Sequence, residues 1–188
     1  NKFISNNSGV AVMYSRNIII QGNEFIENYG ISNFGLLLKE ISYSKVISNK
    51  FIKNTNAIYM ENSNSNYFKS NLFFENSWAI RIMSNCENNN FEYNEFIKNF
   101  FEVITNSTSQ FHNNFSYNYW DKYIGYDLNK DGIGDEPYKI TSISSIIFER
   151  FKISIILFNG VLMKILDYIE SLIPSLTYPI YDKHPIIK

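Results

Sequence analysis

The sequence predicts an all-β solenoid of stacked parallel strands, closed at its C-terminal end by a small cap of helical and irregular structure. Three observations carry the prediction: a hexapeptide recurring at near-constant spacing, apolar alternation within each repeat, and an abrupt change of composition near Trp120.

The hexapeptide is Asn-x-Phe-Ile-x-Asn. It stands at Asn1–Asn6, Asn23–Asn28, Asn49–Asn54 and Asn94–Asn99, and at Asn71–Asn76 with Phe74 in place of the isoleucine. Its starts are 22, 26, 22 and 23 residues apart, and Asn113–Asn118 reads as a degenerate sixth copy with Ser116 at the isoleucine position. Such periods mark solenoids, propellers or arrays. A helical pair needs roughly 33 residues or more and a propeller blade about 40, whereas some 22 residues fit three short strands and three bends. A leucine-rich repeat is disfavoured because its leucine spacing is absent, and the regular Phe and Ile positions argue against a disordered Asn-rich tract.

A second apolar patch follows each copy: Gly9–Met13, Gly35–Leu38, Ala57–Met60, Ala79–Met83 and Glu102–Thr105. Its two-residue period predicts strands with Val10, Val12, Leu36, Leu38, Ile58, Met60, Ile80, Ile82 and Val103 inward. Ala11, Leu37, Tyr59, Arg81 and Ile104 then point outward. Gly9, Gly35, Ala57 and Ala79 align at the strand entrance, where little side chain fits. A third patch appears in some copies, as at Asn17–Ile20 and Asn66–Phe68.

If each turn lies about 4.8 Å above the last, every motif asparagine sits over its equivalent. Asn1, Asn23, Asn49, Asn71 and Asn94 then form an amide ladder of the kind that stabilises stacked strands. Asparagine also tolerates a left-handed bend better than most residues. The phenylalanines would stack inside.

Composition sets the domain boundaries. Residues 1–120 hold 25 asparagines, no aspartate and no proline; residues 121–188 hold two asparagines, all six aspartates and all four prolines. The organisation expected is repeats over 1–120, an Asp-rich closing loop over 121–140 and a capping segment over 141–188. A net charge of -1 gives no basic face for nucleic acid. The single cysteine, Cys86, excludes an internal disulfide framework. The chain starts inside a repeat, so further coils are expected on its N-terminal side.

The stretch Asp127-Leu-Asn129-Lys-Asp131-Gly132-Ile133-Gly-Asp135 places oxygen side chains at positions 1, 3, 5 and 9 of a calcium loop. Gly132 falls at position 6, where a sharp turn is needed, and the Ile133 carbonyl at position 7. Position 12 is Tyr138, so the bidentate glutamate of an EF-hand is missing, with Glu136 a misplaced substitute. Calcium is the expected cofactor, held structurally by Asp127, Asn129, Asp131, Ile133 and Asp135; the alternative is an Asx-rich turn without metal.

The coils resemble the right-handed parallel β-helix repeat family of surface and periplasmic carbohydrate-associated proteins. The run Asn118–Ile140, with its Asn-Tyr-Trp opening and Asp-rich Gly-Ile-Gly-Asp-x-Pro-Tyr loop, precedes the Tyr-Pro element at Tyr178–Lys188. In that order they are similar to the C-terminal signature of NosD-type β-helix proteins, a family of periplasmic copper-binding proteins. The resemblance implies a right-handed parallel β-helix, an extracytoplasmic location (periplasm, cell surface or secreted) and copper. Copper draws on His, Cys and Met. Here the ligands are His112, His184 and Cys86, while Met13, Met60 and Met83 read as core. That inventory argues against copper in this chain.

Thr141–Thr177 departs from the family pattern. Phe151–Phe158 reads as a strand, and helical periodicity over 159–173 puts Val161, Leu162, Ile165, Leu166, Ile169, Leu172 and Ile173 on one face. Pro174 stops the helix. No uncharged apolar stretch reaches the length of a membrane span. A cap over the last coil is the favoured reading and membrane-surface docking the rival.

Catalysis finds little support. Hydrolysis needs two carboxyls across a groove; the coils lack aspartate, and their nine glutamates mostly follow the motif phase, with Glu24, Glu95, Glu27 and Glu75 at outward turn positions that read as solvated charge. A lyase or hydrolase fragment stays the third alternative, behind copper handling for metal-centre assembly. The favoured reading is a non-catalytic scaffold or carbohydrate-binding module with a polysaccharide or cell-envelope partner, presenting Tyr59, Trp78 and Arg81 as ligand-binding candidates.

Overall fold

A computed structural model describes residues 1–30, 33–106, 112–141, 165, 168 and 180–188. Five complete coils follow one another. They comprise β1 (Lys2–Ile4), β2 (Ser8–Met13) and β3 (Ile19–Gln21); β4 (Glu24–Ile26), β5 (Phe34–Lys39) and β6 (Lys45–Ile47); β7 (Lys50–Ile52), β8 (Asn56–Glu61) and β9 (Tyr67–Lys69). The fourth and fifth are β10 (Leu72–Phe74), β11 (Trp78–Met83) and β12 (Asn90–Glu92), then β13 (Glu95–Ile97), β14 (Phe101–Thr105) and β15 (Asn114–Ser116). A sixth coil opens with β16 (Tyr119–Trp120), and β17 (Tyr138–Lys139) and β18 (Tyr181–Asp182) close the end.

Each coil gives one strand to each of three sheets. The first sheet runs β1-β4-β7-β10-β13-β16, the second β2-β5-β8-β11-β14, and the third β3-β6-β9-β12-β15-β18-β17. All pairings are parallel except β17 with β18. The fold is an all-β parallel solenoid, as the repeat predicts.

Register explains the hexapeptide. Phe25 lies over Phe51, and Phe73 over Phe96, so identical rings pile up in the core. Phe3, Phe25, Phe51, Phe73, Phe96 and Trp120 form one stack with centroids 5.2, 4.8, 5.1, 4.8 and 4.0 Å apart. Phe68, Phe91 and Phe115 form another under the third sheet, at 4.6 and 4.4 Å. Such pairs are worth about 0.5–1.5 kcal/mol each beyond their buried area.

Asparagine ladders run beside the stacks. From Asn23, each amide of the first ladder donates to the next Oδ1 through Asn49, Asn71, Asn94 and Asn118, at 2.9–3.1 Å. Asn1 joins at 3.3 Å. Asn71 shows why asparagine is required. Its Oδ1 accepts both N–H and Nδ2 of Asn49, while its Nδ2 donates to Asn94 Oδ1 and to the Val46 carbonyl. All its polar capacity is used in a fully buried site. The closing asparagines of the motif build a second ladder through Asn28, Asn54, Asn76 and Asn99.

Four expectations need correction. The motif asparagines do not occupy the left-handed bends; the residues just before them do. Glu27, Lys53, Glu75 and Lys98 have φ of 52–54°, as does Ser48 at 53°, and each bend turns the following amide inward. Asn113–Asn118 is not the sixth motif copy. Asn113 belongs to a third, unforeseen ladder of Ser44, Asn66, Asn89 and Asn113, and the sixth copy starts at Asn118, with Trp120 in the phenylalanine place. Ile104, expected outward, is buried against Trp78, Met83 and Phe101. Met13, read as core, is 43% exposed.

The other inward assignments hold. Leu36, Leu38, Ile58, Met60, Ile80, Ile82 and Val103 are buried, and Val10 and Val12 on the edge strand are partly so. A Cβ on Gly35 would meet the Ala57 carbonyl at 2.8 Å, so the small-residue column reflects coil-to-coil contact. Of the helix expected over 159–173, only Ile165 and Tyr168 are described; both are helical and both are exposed. The strand expected at Phe151–Phe158 lies outside the described residues.

Candidate functional site

Among the described residues no full coil lies above the last one, and side chains stand in for it. In the interior, Asn76 O and Ser77 O accept the N–H groups of Phe100 and Phe101. One coil further, the equivalent carbonyls of Asn99 and Phe100 accept from Lys122 Nζ at 2.9 and 3.3 Å. Glu75 N donates to the Ile97 carbonyl; its successor Lys98 N donates to Asp121 Oδ2 at 2.6 Å. The first ladder ends on a carboxylate. Asp182 Oδ2 accepts Asn118 N, Asn118 Nδ2 and Trp120 Nε1 at 3.0, 2.9 and 3.0 Å. An aspartate fits because it accepts without needing a further acceptor of its own.

Glu102 completes the closure. It occupies the column of Gly9, Gly35, Ala57 and Ala79, and among the described residues no further coil lies over it to exclude a long side chain. Tyr138 donates its hydroxyl to Glu102 Oε2 at 2.8 Å, and Lys122 Nζ lies 3.7 Å from Oε1, which makes no hydrogen bond. Burial raises the Glu102 pKa, against the lowering pull of Lys122 and Tyr138. The three groups follow or belong to three different sheets: β16, β14 and β17.

The Asp-rich loop is tied to the closing strand. Gly134 N donates to the Pro185 carbonyl and Ile187 N to the Gly132 carbonyl. Asp127 accepts Lys130 N and Asp131 N on Oδ1 and Gly132 N on Oδ2. Asn129 accepts Asp131 N and donates to Asp131 Oδ2, Asp131 accepts Ile133 N, and Asp135 accepts Leu128 N at 2.7 Å. Lys130 and Gly132 take φ of 61° and 84°. The structure therefore brings Asp127, Asn129 and Asp131 together on a tight loop, with Asp135 turned to the Leu128 amide.

The copper candidates stay apart. Cys86 takes a ladder place: its Sγ accepts Ser63 N at 3.3 Å and donates to the Met83 carbonyl at 3.2 Å. Burial pushes its thiol up to about 11. His184 Nδ1 lies 3.0 Å from Ser116 Oγ, with its ring stacked on Tyr117. His112 is an exposed bend residue whose carbonyl accepts Asn88 N. Among the described residues no group of three or more His, Cys, Asp and Glu converges as a metal ion requires. The set His112, His184 and Cys86 does not fit copper.

Tyr59, Trp78 and Arg81 do meet. The Arg81 guanidinium lies 5.6 Å from the Tyr59 ring and 5.3 Å from the Trp78 ring, and bonds Asn56 Oδ1 at 3.2 Å. Trp78 is buried, stacked on Phe101 at 4.3 Å. The surface left to a ligand there is narrow.

A second surface escaped the sequence reading. On the bend between the second and third sheets, Glu40, Ile41, Ser42, Asn62, Asn64 and Asn85 line a concavity of about 500 Å³. Tyr43 follows Ser42 and is 63% exposed; Tyr14, one coil before Glu40, is 71% exposed. The available signal was polar Asn and Ser in phase with the bends.

Together these features define a class: a parallel β-solenoid closed by charged substitutes for the next coil and by an Asp-rich loop. Residues 1–125 match the family described as "Periplasmic copper-binding protein (NosD)", and the chain belongs to that family. It is 26% identical over 197 residues to the "Probable ABC transporter binding protein NosD" of Stutzerimonas stutzeri. It is 25% identical over 192 residues to the protein of the same name from Pseudomonas aeruginosa. The matches cover 95% and 93% of this chain but 44% of each relative, so the chain spans less than half their length. Among the described residues no helix is long and apolar enough to cross a membrane.

Proposed function

We propose that this chain is a non-catalytic binding scaffold of an extracytoplasmic NosD-type protein, and that it takes a neutral polysaccharide or similar cell-envelope component on the Asn-lined bend. The observation that carries the reading is that concavity of about 500 Å³, with exposed Tyr43 beside it. Amides donate and accept to hydroxyl pairs, and a tyrosine ring offers an apolar face with a polar tip. Tyr59 and Arg81, half-exposed on the second sheet, supply a further ring and planar donor. The name of the relatives, a binding protein, supports a binding role.

The test is retention of the purified chain by neutral and acidic polysaccharides in affinity gels, compared with Tyr43→Ala and Asn62→Ala. Retention by neutral polymers that both substitutions weaken, with unchanged thermal unfolding, is the expected result. Failure of every polymer to retain the native chain would remove the reading.

The Asp-rich loop is proposed to hold a structural calcium through Asp127, Asn129, Asp131, Asp135 and the Ile133 carbonyl. Support comes from its sequence spacing and its ties to the closing strand. Copper handling is a second reading, favoured by the family match; it would rest on ligands other than His112, His184 and Cys86.

A further inference from the structure

The closing antiparallel pair of β17 and β18 meets the solenoid at several points, and one of these junctions joins all three sheets. Lys122, just after β16, sits 3.7 Å from Glu102 of β14, and Tyr138 of β17 donates to the same carboxyl at 2.8 Å. The Glu102 side chain is 3% exposed, and its Oε1 has no hydrogen-bond donor. A buried carboxylate with one unsatisfied oxygen is costly, whereas the neutral acid in the same place is much less so.

We propose that Glu102, Lys122 and Tyr138 form a proton-operated latch: the closing pair of β17 and β18 is held firmly when the Glu102 carboxyl is protonated and loosens when it ionises. Among the described residues the charged and titratable groups around the carboxyl are Lys122, Tyr138 and Asp121. Lys122 and Tyr138 favour ionisation, Asp121 opposes it, and burial opposes it most. The docked carboxyl therefore binds its proton more tightly than the undocked one. Its contribution is fully present below the ordinary carboxyl value and is lost as pH rises through the docked value. Two further closures travel with the pair: Asp182 on β18 holds Asn118 and Trp120, and the segment after it holds the Asp-rich loop through Pro185 and Ile187.

Hydrogen exchange reads the latch directly. The amides to follow are Ile140, Ile186 and Ile187, which donate to Ile180, Asn118 and Gly132. Their protection, relative to intrinsic exchange, is measured from about pH 5 to about pH 8 in the native chain, Glu102→Gln and His184→Gln. His184 is included because it lies just after β18, beside Ser116 and Tyr117. In the native chain protection falls with rising pH, by up to about tenfold per unit across the Glu102 titration. Glu102→Gln removes the fall and His184→Gln leaves it. A flat native profile, a fall that survives Glu102→Gln, or one that disappears in His184→Gln overturns the proposal. Should Glu102→Gln not fold, Tyr138→Phe serves instead: removing a donor to the carboxylate moves the midpoint to higher pH, and an unmoved midpoint overturns the latch.

Discussion

Asp182 is the residue on which the first ladder rests. It has no exposed surface; its Oδ2 accepts from three donors, two of them on Asn118 and one on Trp120, and its Oδ1 accepts from His184 N. Asp182→Ala leaves those donors buried without an acceptor, at about 1–3 kcal/mol for each group. The urea midpoint of unfolding should fall by the equivalent of at least about 3 kcal/mol, and Asp182→Asn, which keeps an acceptor oxygen, should cost less. Cys86 has an equally structural place, above Ser63 in the stack of bends. With its thiol moved from 9.0 to about 11, the thiolate fraction near neutral pH drops roughly a hundredfold. Alkylation by iodoacetamide in native buffer should be slower than in denaturant by at least that factor, and Cys86→Ser should fold normally. The ladder of Asn23, Asn49, Asn71 and Asn94 was legible because repetition in sequence becomes superposition in space. Glu102 was not. Its burial depends on the absence of a coil above it and on Tyr138, 36 residues away, and no local pattern encodes either.

Among the elements, the strands of the first sheet were the most readable, since Phe over Phe is written into each copy. The third sheet carries the same message more faintly in Asn66-Tyr-Phe68, Asn89-Asn-Phe91 and Asn113-Asn-Phe115. Reading Asn113 as a motif start was a phase error: two Asn-x-Phe patterns share one bend, and only strand pairing separates them. The bends show another division of labour. Glu27, Lys53 and Lys98 carry the positive φ, at a cost of order 1 kcal/mol or more for each non-glycine residue, and the buried amide that follows repays it. The Asp-rich loop is the element where a metal prediction belongs. If calcium is held there, excess calcium should raise the melting temperature of the native chain, chelator should reverse the gain, and Asp131→Ala should abolish it. A melting curve indifferent to calcium would leave the loop as an Asx-rich turn.

At the scale of the whole molecule, each coil speaks mainly to its two neighbours, through the same contacts at every level. That makes the coils interchangeable. Excising residues 49–70 joins Ser48 to Asn71 and lets Asn23 meet Asn71, Asn28 meet Asn76 and Phe25 meet Phe73. The shortened chain should keep its β circular dichroism and unfold cooperatively, with a smaller denaturant dependence because less surface is exposed on unfolding. Loss of the β signal would mean that individual coils are not equivalent.

The uneven spacing of the motif carries a consequence of its own. Starts 22, 26, 22 and 23 residues apart still give ladders in perfect step, because surplus residues are absorbed at the corners while the amides keep time. Such a chain is open to tinkering: corners can lengthen, shorten or acquire new chemistry without any retuning of the interior. Whole rungs can be duplicated or dropped by a single genetic event. Length then changes in increments of about 4.8 Å, which makes the solenoid a ruler whose reach evolution can reset one notch at a time.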